Sequence, residues 1–325
     1  MQWENFIENT STYKEIVSDI ASNMLSHAYI CISPDTAYAQ AFAGVLSKLI
    51  LCETMQKCGV CRSCHNIDAG VHADVCVFGA ETPIKPEDVA EIIPSLAVKP
   101  YEGERKVYIL ANIDMASEEV QNKLLKSIEE PPAHVTFLLT ASAENKVLST
   151  IRSRCHALVL APLSIQELQT YCKSKGLADA EARMVAIGSM GYIGKAQSLL
   201  ENTSYISFYQ TVETMFFTMN ASKDILTYAT LFTTKEKVQE ALTILQILAR
   251  DAMLVAYQTP QLIQNQHLLP KLQTLVANYQ SQAWVHMQEV VYKAQQALAV
   301  NTSLSAVVDM LLFAIVEVKY KWKKL

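Results

Sequence analysis

Nowhere does the sequence carry the roughly 18 to 20 uninterrupted apolar residues that a membrane-spanning helix needs, which excludes helical insertion into a bilayer. Its start, MQWENFIENTSTYKE, is acidic and polar and unlike a secretory leader, so the expected location is the cytoplasm. Basic excess is missing too. The formal net charge of -5 and pI of about 5.8 exclude whole-molecule attraction to nucleic acid and leave only a local basic face. There is no repeat of fixed period and no low-complexity tract. Eight cysteines in a 325-residue chain without a leader do not form the framework of a small secreted domain; they read as reduced thiols or metal ligands, and their spacing decides which. What is abundant is apolar residues, at 50%, enough for the cores of two or three domains.

From residue 27 to about 160, short apolar runs alternate with amphipathic stretches, the pattern of a parallel sheet covered by helices. HAYICI, DVCVFG, KVYILA, HVTFLLT and HALVLA read as strands; AFAGVLSKLI, PEDVAEIIPSLAV and SEEVQNKLLKSIEE read as helices. Ser117 is placed to cap the last of these, and Pro131 with Pro132 stop it. After Pro162 the strand signals cease. SIQELQTYCKSKG and DAEARMVAIGSM predict two short helices, which the glycines of GSMGYIG separate from a third in KAQSLLEN. From about residue 206 the pattern is one of long amphipathic helices, with apolar faces that include Phe216, Phe217, Leu245 and Leu248. The fold class is therefore α/β followed by all-α. The closing KYKWKKL reads as a basic helix end that suits the macrodipole.

CETMQKCGVCRSC places Cys52, Cys58, Cys61 and Cys64 at C-x5-C-x2-C-x2-C spacing. A C-x2-C pair lets two thiolates meet one ion across a tight turn, and Gly59 eases the first such turn. Four sulfurs complete a tetrahedron around zinc and leave no place for water, which makes the expected site structural and not catalytic. The alternative is a set of buried or redox-active thiols. His65 is a bystander on this reading, and Cys31, Cys76, Cys155 and Cys172 read as core residues.

Between the strand HAYICI and the helix that follows, SPDTAYAQ stands where many nucleotide-binding proteins cradle phosphate, yet it has neither glycine nor lysine. Ser33, Thr36 and Tyr38 fall at the glycine places, Ala39 at the lysine place and Gln40 at the hydroxyl place. The strand KVYIL ends on Ala111 and Asn112 where an acid should hold magnesium. Asp114 either replaces that acid or begins the next loop. Glu129 and Glu130 are adjacent on a helix and point about 100° apart, so they read as a helix end and not as a paired acid and base.

In order, HAYI with its degenerate loop, the cysteine module, HADV, RKVYIL, NKLLKSIEEPP, FLLTAS and IRSRC resemble the bacterial clamp-loader ATPases of the AAA+ class, over residues from about 20 to 200. The helical remainder is similar to that family's collar more loosely, with NTSLSAVVDMLL its best stretch. The resemblance implies an AAA+ core over 1–162 with the cysteine module (52–64) inserted, a small helical lid over 163–205 and a helical collar over 206–325. It also implies a member that binds and hydrolyses no ATP: the glycines, lysine and acids of the active gamma or tau type are gone, and Gly194, beside Lys195, stands at the place of the lid's nucleotide-sensing arginine. Ser153, Arg154 and Cys155 keep the motif whose arginine, Arg154, reaches in trans into a neighbour's ATP site; the guanidinium suits that role because it is always charged and forks onto two phosphate oxygens. The plain alternative pairs Arg154 with Glu129 or Glu130, with Arg152 on the same edge. Implied partners are gamma- or tau-type ATPases and a delta-type subunit, with the sliding clamp and primed DNA met through the complex and no membrane. Two other functions compete: a divergent ATPase using Asp114, and a zinc-dependent DNA-binding finger using Lys57 and Arg62.

Overall fold

Five short apolar runs become the five strands of one parallel sheet in the computed structural model, which describes residues 3–22, 24–300 and 302–324. They are β1 (Ala28–Ile32), β2 (Val75–Phe78), β3 (Lys106–Leu110), β4 (Val135–Ala141) and β5 (His156–Val159), in the order β2-β3-β4-β1-β5. Every residue of the three inner strands is buried, as a sheet covered on both faces requires, whereas the edge strands β2 and β5 are partly exposed. Register is continuous across the centre: Ala28 faces Phe137, Lys106 faces Val135 and Tyr29 faces His156.

The chain divides into two compact units, one of Met1–Leu163 with Tyr192–Lys195, the other of Ser164–Gly191 with Ala196–Leu325. In the first, α1 (Glu4–Asn9) and α2 (Ser11–Ala21) precede β1, and α3 (Thr36–Leu51) and α4 (Arg62–Asp68) lie between β1 and β2. They are followed by α5 (Pro86–Ser95), α6 (Glu118–Glu129) and α7 (Ser149–Arg152). Ser117 caps α6 as its sequence predicts, accepting the Val120 N–H at 3.3 Å. One face of the sheet packs Ile30, Tyr108, Phe137 and Leu139 against Val89 and Ile92 of α5 and Val120, Leu124 and Ile128 of α6. These spacings of three and four residues put the apolar positions of α6 on one stripe.

The remaining helices are α8 (Ile165–Ser174), α9 (Asp179–Gly188), α10 (Ile193–Glu201), α11 (Tyr205–Thr218), α12 (Ser222–Ala229), α13 (Lys235–Ala256), α14 (Leu269–Ala277), α15 (Gln282–Ala299) and α16 (Leu304–Lys321). The glycine reading of GSMGYIG needs one correction. The break is made by Met190 and Gly191, both left-handed (φ 57 and 92), while Gly194 lies inside α10. Phe216, Leu245 and Leu248 are consumed in the internal core, and Phe217 is half-buried with its ring edge-on to Phe216 at 5.5 Å.

Asp251, fully buried in α13, anchors the loop after it by accepting the N–H groups of Gln264 and Asn265, each at 2.9 Å. The basic helix end is as its sequence reads, with Lys319 and Lys321 in the last turn of α16, but Lys319 has a further contact. Lys319 points inward, and its ammonium donates to the carbonyls of Phe216 and Met219, the latter at 2.9 Å, so it also caps α11. Burial pushes its pKa down to about 8, only partly opposed by Asp224. Since the unfolded chain holds this proton up to about 10.5, it binds more protons than the folded chain between these values, and stability rises with pH across the window. Denaturant unfolding at pH 7 and pH 10.5 should therefore show Lys319→Met losing a rise on the order of 3 kcal/mol relative to the parent chain; equal pH slopes would contradict this account.

Candidate functional site

The four cysteines converge: their sulfurs all lie within 4.8 Å of one another. Cys52 ends α3, Cys61 caps α4 and accepts the Cys64 N–H at 3.4 Å, and Cys58 lies in the turn between, with Gly59 left-handed (φ 71). Backbone amides aim at the sulfurs, Cys58 N–H at Cys52 Sγ and Cys61 N–H at Cys58 Sγ, both 3.3 Å. Such donors favour thiolates. Burial raises the Cys52 thiol, but hydrogen bonds from Thr54 and the Cys58 amide outweigh it and bring it down to about 5. Tetrahedral zinc with Zn–S of about 2.3 Å asks for sulfurs about 3.8 Å apart; Cys52 and Cys61 stand at 3.9 Å. The donor set therefore fits zinc, and His65 is exposed and outside it. Cys31 and Cys172 are buried, and Cys76 and Cys155 pack against the core, as their apolar contexts predict.

An ionic web that no local pattern reveals ties this module to the N-terminal helix. Lys48, buried in α3, pairs with Glu4 of α1 and Asp68 of α4, and Lys57 pairs with Glu8. Arg62 stands 3.0 Å from Glu102. Both cations that a DNA-binding finger would use are thus engaged with acids.

At SPDTAYAQ the helix begins inside the turn. Because α3 begins at Thr36, the places of Thr36, Tyr38, Ala39 and Gln40 lie in its first turns and not in an open loop. Asp35 is the cap. Its Oδ1 accepts the Tyr38 N–H at 3.2 Å and its carbonyl accepts the Ala39 N–H at 3.0 Å, while its own N–H donates to Ser33 Oγ at 3.1 Å. Amides that would meet phosphate are spent on the helix itself. The second carboxylate oxygen, Oδ2, accepts the Gly194 N–H at 2.7 Å, so one anion lies at the N-termini of both α3 and α10. A Cβ at Gly194 would collide with Asp35 Oδ1 and stand 3.1 Å from the Ala37 Cβ, leaving no room for an arginine without movement.

The end of β3 is equally closed. Ala111 is buried, and Asn112, left-handed at φ 51, donates its N–H to Thr140 Oγ1 at 2.9 Å and its Nδ2 to the Gly79 carbonyl at 3.0 Å. Asp114 sits in the 3-10 turn Ile113–Met115 that begins the next loop, and its Oδ2 accepts the Ser142 N–H at 3.1 Å and the Ser142 hydroxyl.

Arg154 lies between α7 and β5, after Ser153, the C-cap of α7. Its Nη2 donates to Glu129 Oε1 and its Nη1 to the Thr150 carbonyl, each at 2.9 Å. The hydrogen bond to Arg154 holds the Glu129 carboxyl below the usual carboxylate range. Of the two acids weighed from sequence, Glu129 is the one engaged. Arg152 does not share it and pairs with Glu144 at 2.9 Å. Sequence reasoning missed Asp35 and Lys48. An aspartate directly before a helical run is an N-cap signal that was available for the first; the second is visible only once three helices are in place.

Comparison with known proteins places this architecture. Residues 8–164 match the family model described as DNA polymerase III, delta subunit. The chain is 32% identical over 157 residues to DNA polymerase III subunit tau of Salmonella typhimurium, covering 47% of this chain and 24% of that protein. It is 26% identical over 212 residues to subunit delta′ of Escherichia coli, covering 63% of each. A solved gamma-subunit-related protein of Thermotoga maritima aligns over 98% of this chain and 100% of its own at 15% identity and a TM-score of 0.43, too distant to add an argument. The chain thus spans about a quarter of the tau protein it matches and just under two thirds of delta′. Over its parallel-sheet half and these ordered matches, the chain is similar to the tau and delta′ subunits of DNA polymerase III.

Proposed function

We propose that this chain is the non-hydrolysing, delta-prime-type subunit of a bacterial clamp loader, working in the cytoplasm with gamma- or tau-type ATPases and a delta-type subunit. It lends Arg154 in trans to the ATP site of a neighbour while the complex loads the sliding clamp on primed DNA. The observation that carries this reading is the Asp35 carboxylate in the former phosphate loop, bonded to the Tyr38 and Gly194 amides. A second anion brought there meets repulsion, no lysine and amides already in use. Residues 163–205 serve as the lid and 206–325 as the collar through which subunits assemble. Zinc, held by Cys52, Cys58, Cys61 and Cys64, folds the inserted module and has no part in chemistry.

The higher identity to tau than to delta′, 32% against 26%, favours a second reading in which the chain keeps a nucleotide site of its own, with Asp114 replacing the lost acid. Titration of the purified chain with labelled ATP separates the two. The first reading expects no saturable binding at concentrations on the order of micromolar, and full stimulation of ATP hydrolysis when the chain joins a gamma-type partner. Saturable uptake with hydrolysis by the isolated chain would replace it with the second.

A further inference from the structure

Glu129 stands where helix electrostatics disfavour it. It is the last residue of α6, followed by Glu130 at the cap and Pro131 and Pro132, so two carboxylates crowd the negative end of a helix dipole. Besides Lys126 in the last turn, the cation brought to this end is Arg154, which pairs with Glu129. Its hold is incomplete: Nη2 reaches one carboxylate oxygen, Nη1 is turned to the Thr150 carbonyl and the Ser153 hydroxyl at 3.4 Å, and Nε is buried with no partner. The bidentate fork that a guanidinium makes with an oxyanion at its best is therefore not formed. Both side chains are also open to solvent, Arg154 at 32% and Glu129 at 49%, which keeps the pairing weak and exchangeable.

We propose that Glu129 is a keeper for Arg154, a positioning residue that parks the guanidinium in the free chain and yields it to phosphate oxygens of a neighbour's nucleotide. The inference rests on the trans role proposed for Arg154. Parking costs little to undo because a doubly charged phosphate offers the two-pronged contact that one oxygen of Glu129 does not. Each time the arginine transfers, the α6 end loses the cation bonded to Glu129 and keeps only Lys126 of its last turn, so the keeper sets the affinity at which nucleotide draws Arg154 across. Maximal turnover, once Arg154 has crossed, is independent of it.

The test uses the clamp-loader complex reconstituted with a gamma-type ATPase and primed DNA, comparing the parent chain with Glu129→Gln, Glu129→Asp, Arg154→Ala and the double variant Glu129→Gln/Arg154→Ala. Glu129→Gln, which keeps shape but removes charge, should lower the KM for ATP about two- to fivefold with kcat unchanged, the signature of a ground-state competitor removed. Glu129→Asp should stay near the parent, and the double variant should behave as Arg154→Ala. A kcat loss in Glu129→Gln, or an unchanged KM while Arg154→Ala is impaired, would overturn the keeper and leave the trans arginine standing. An unimpaired Arg154→Ala would instead overturn the trans role and the keeper with it.

Discussion

Arg154→Ala is expected to slow hydrolysis about a thousandfold at the ATP site that Arg154 is proposed to serve, measured by single-turnover hydrolysis in the assembled complex. A guanidinium contributes charge and two parallel donors where negative charge spreads over the transferred phosphoryl group, and alanine contributes neither. Arg154→Lys should restore little, since a lysine ammonium offers a point charge and no fork. The fold gives a control beside it: Arg152, bonded to Glu144, is a cation of the same surface edge without the motif's role, and Arg152→Ala should turn over as the parent does. Because Arg154 is only half-buried and lies outside the core, its replacement should leave melting unchanged, so lost turnover is not lost folding. Equal rates for both alanine variants would remove Arg154 from the chemistry.

How far the sequence could be read follows from the range over which each feature acts. The five strands were legible because a covered parallel sheet demands continuous apolar runs, and Ile30, Tyr108 and Leu138 satisfy that demand within a few residues of chain. The cysteine cluster was equally local, since its spacing alone limits the sulfurs to one turn of chain and one short helix. At SPDTAYAQ the sequence showed that glycine and lysine are missing, but it did not show which groups meet there. The carboxylate of Asp35 reaches Gly194, 159 residues away, and only the folded chain brings the two helix N-termini to one anion. Lys319 was legible only in part for the same reason: its place in the last turn of α16 is the basic end that the sequence shows, whereas the carbonyls it also caps are 100 and 103 residues distant. Periodicity reports which face a residue takes and is silent on the partner waiting there.

Removing zinc should melt the cysteine module while sparing the sheet. The segment from Cys52 to Asp68 holds little apolar material of its own, chiefly Cys52, Cys64 and Ile67, so packing could not replace the four metal–sulfur bonds that the proposed zinc would make. Purified protein should carry one zinc, and hydrogen exchange after chelation, or in Cys61→Ser, should show amide protection across residues 52–68 falling by at least about a thousandfold, given the free energy of structural zinc sites. Amides of β1 and β4 should keep theirs, because their ladder partners and core contacts lie elsewhere. The loss should also reach α1. Lys48 holds Glu4 and Asp68 together, and once α4 unfolds Asp68 leaves that buried ammonium with fewer anions, so exchange in residues 4–9 should rise as well. Lys48→Met separates the two causes: it should loosen α1 with zinc still bound. Unchanged protection in the metal-free protein would mean that packing and the amide–sulfur bonds suffice, and that the four sulfurs converge for another reason.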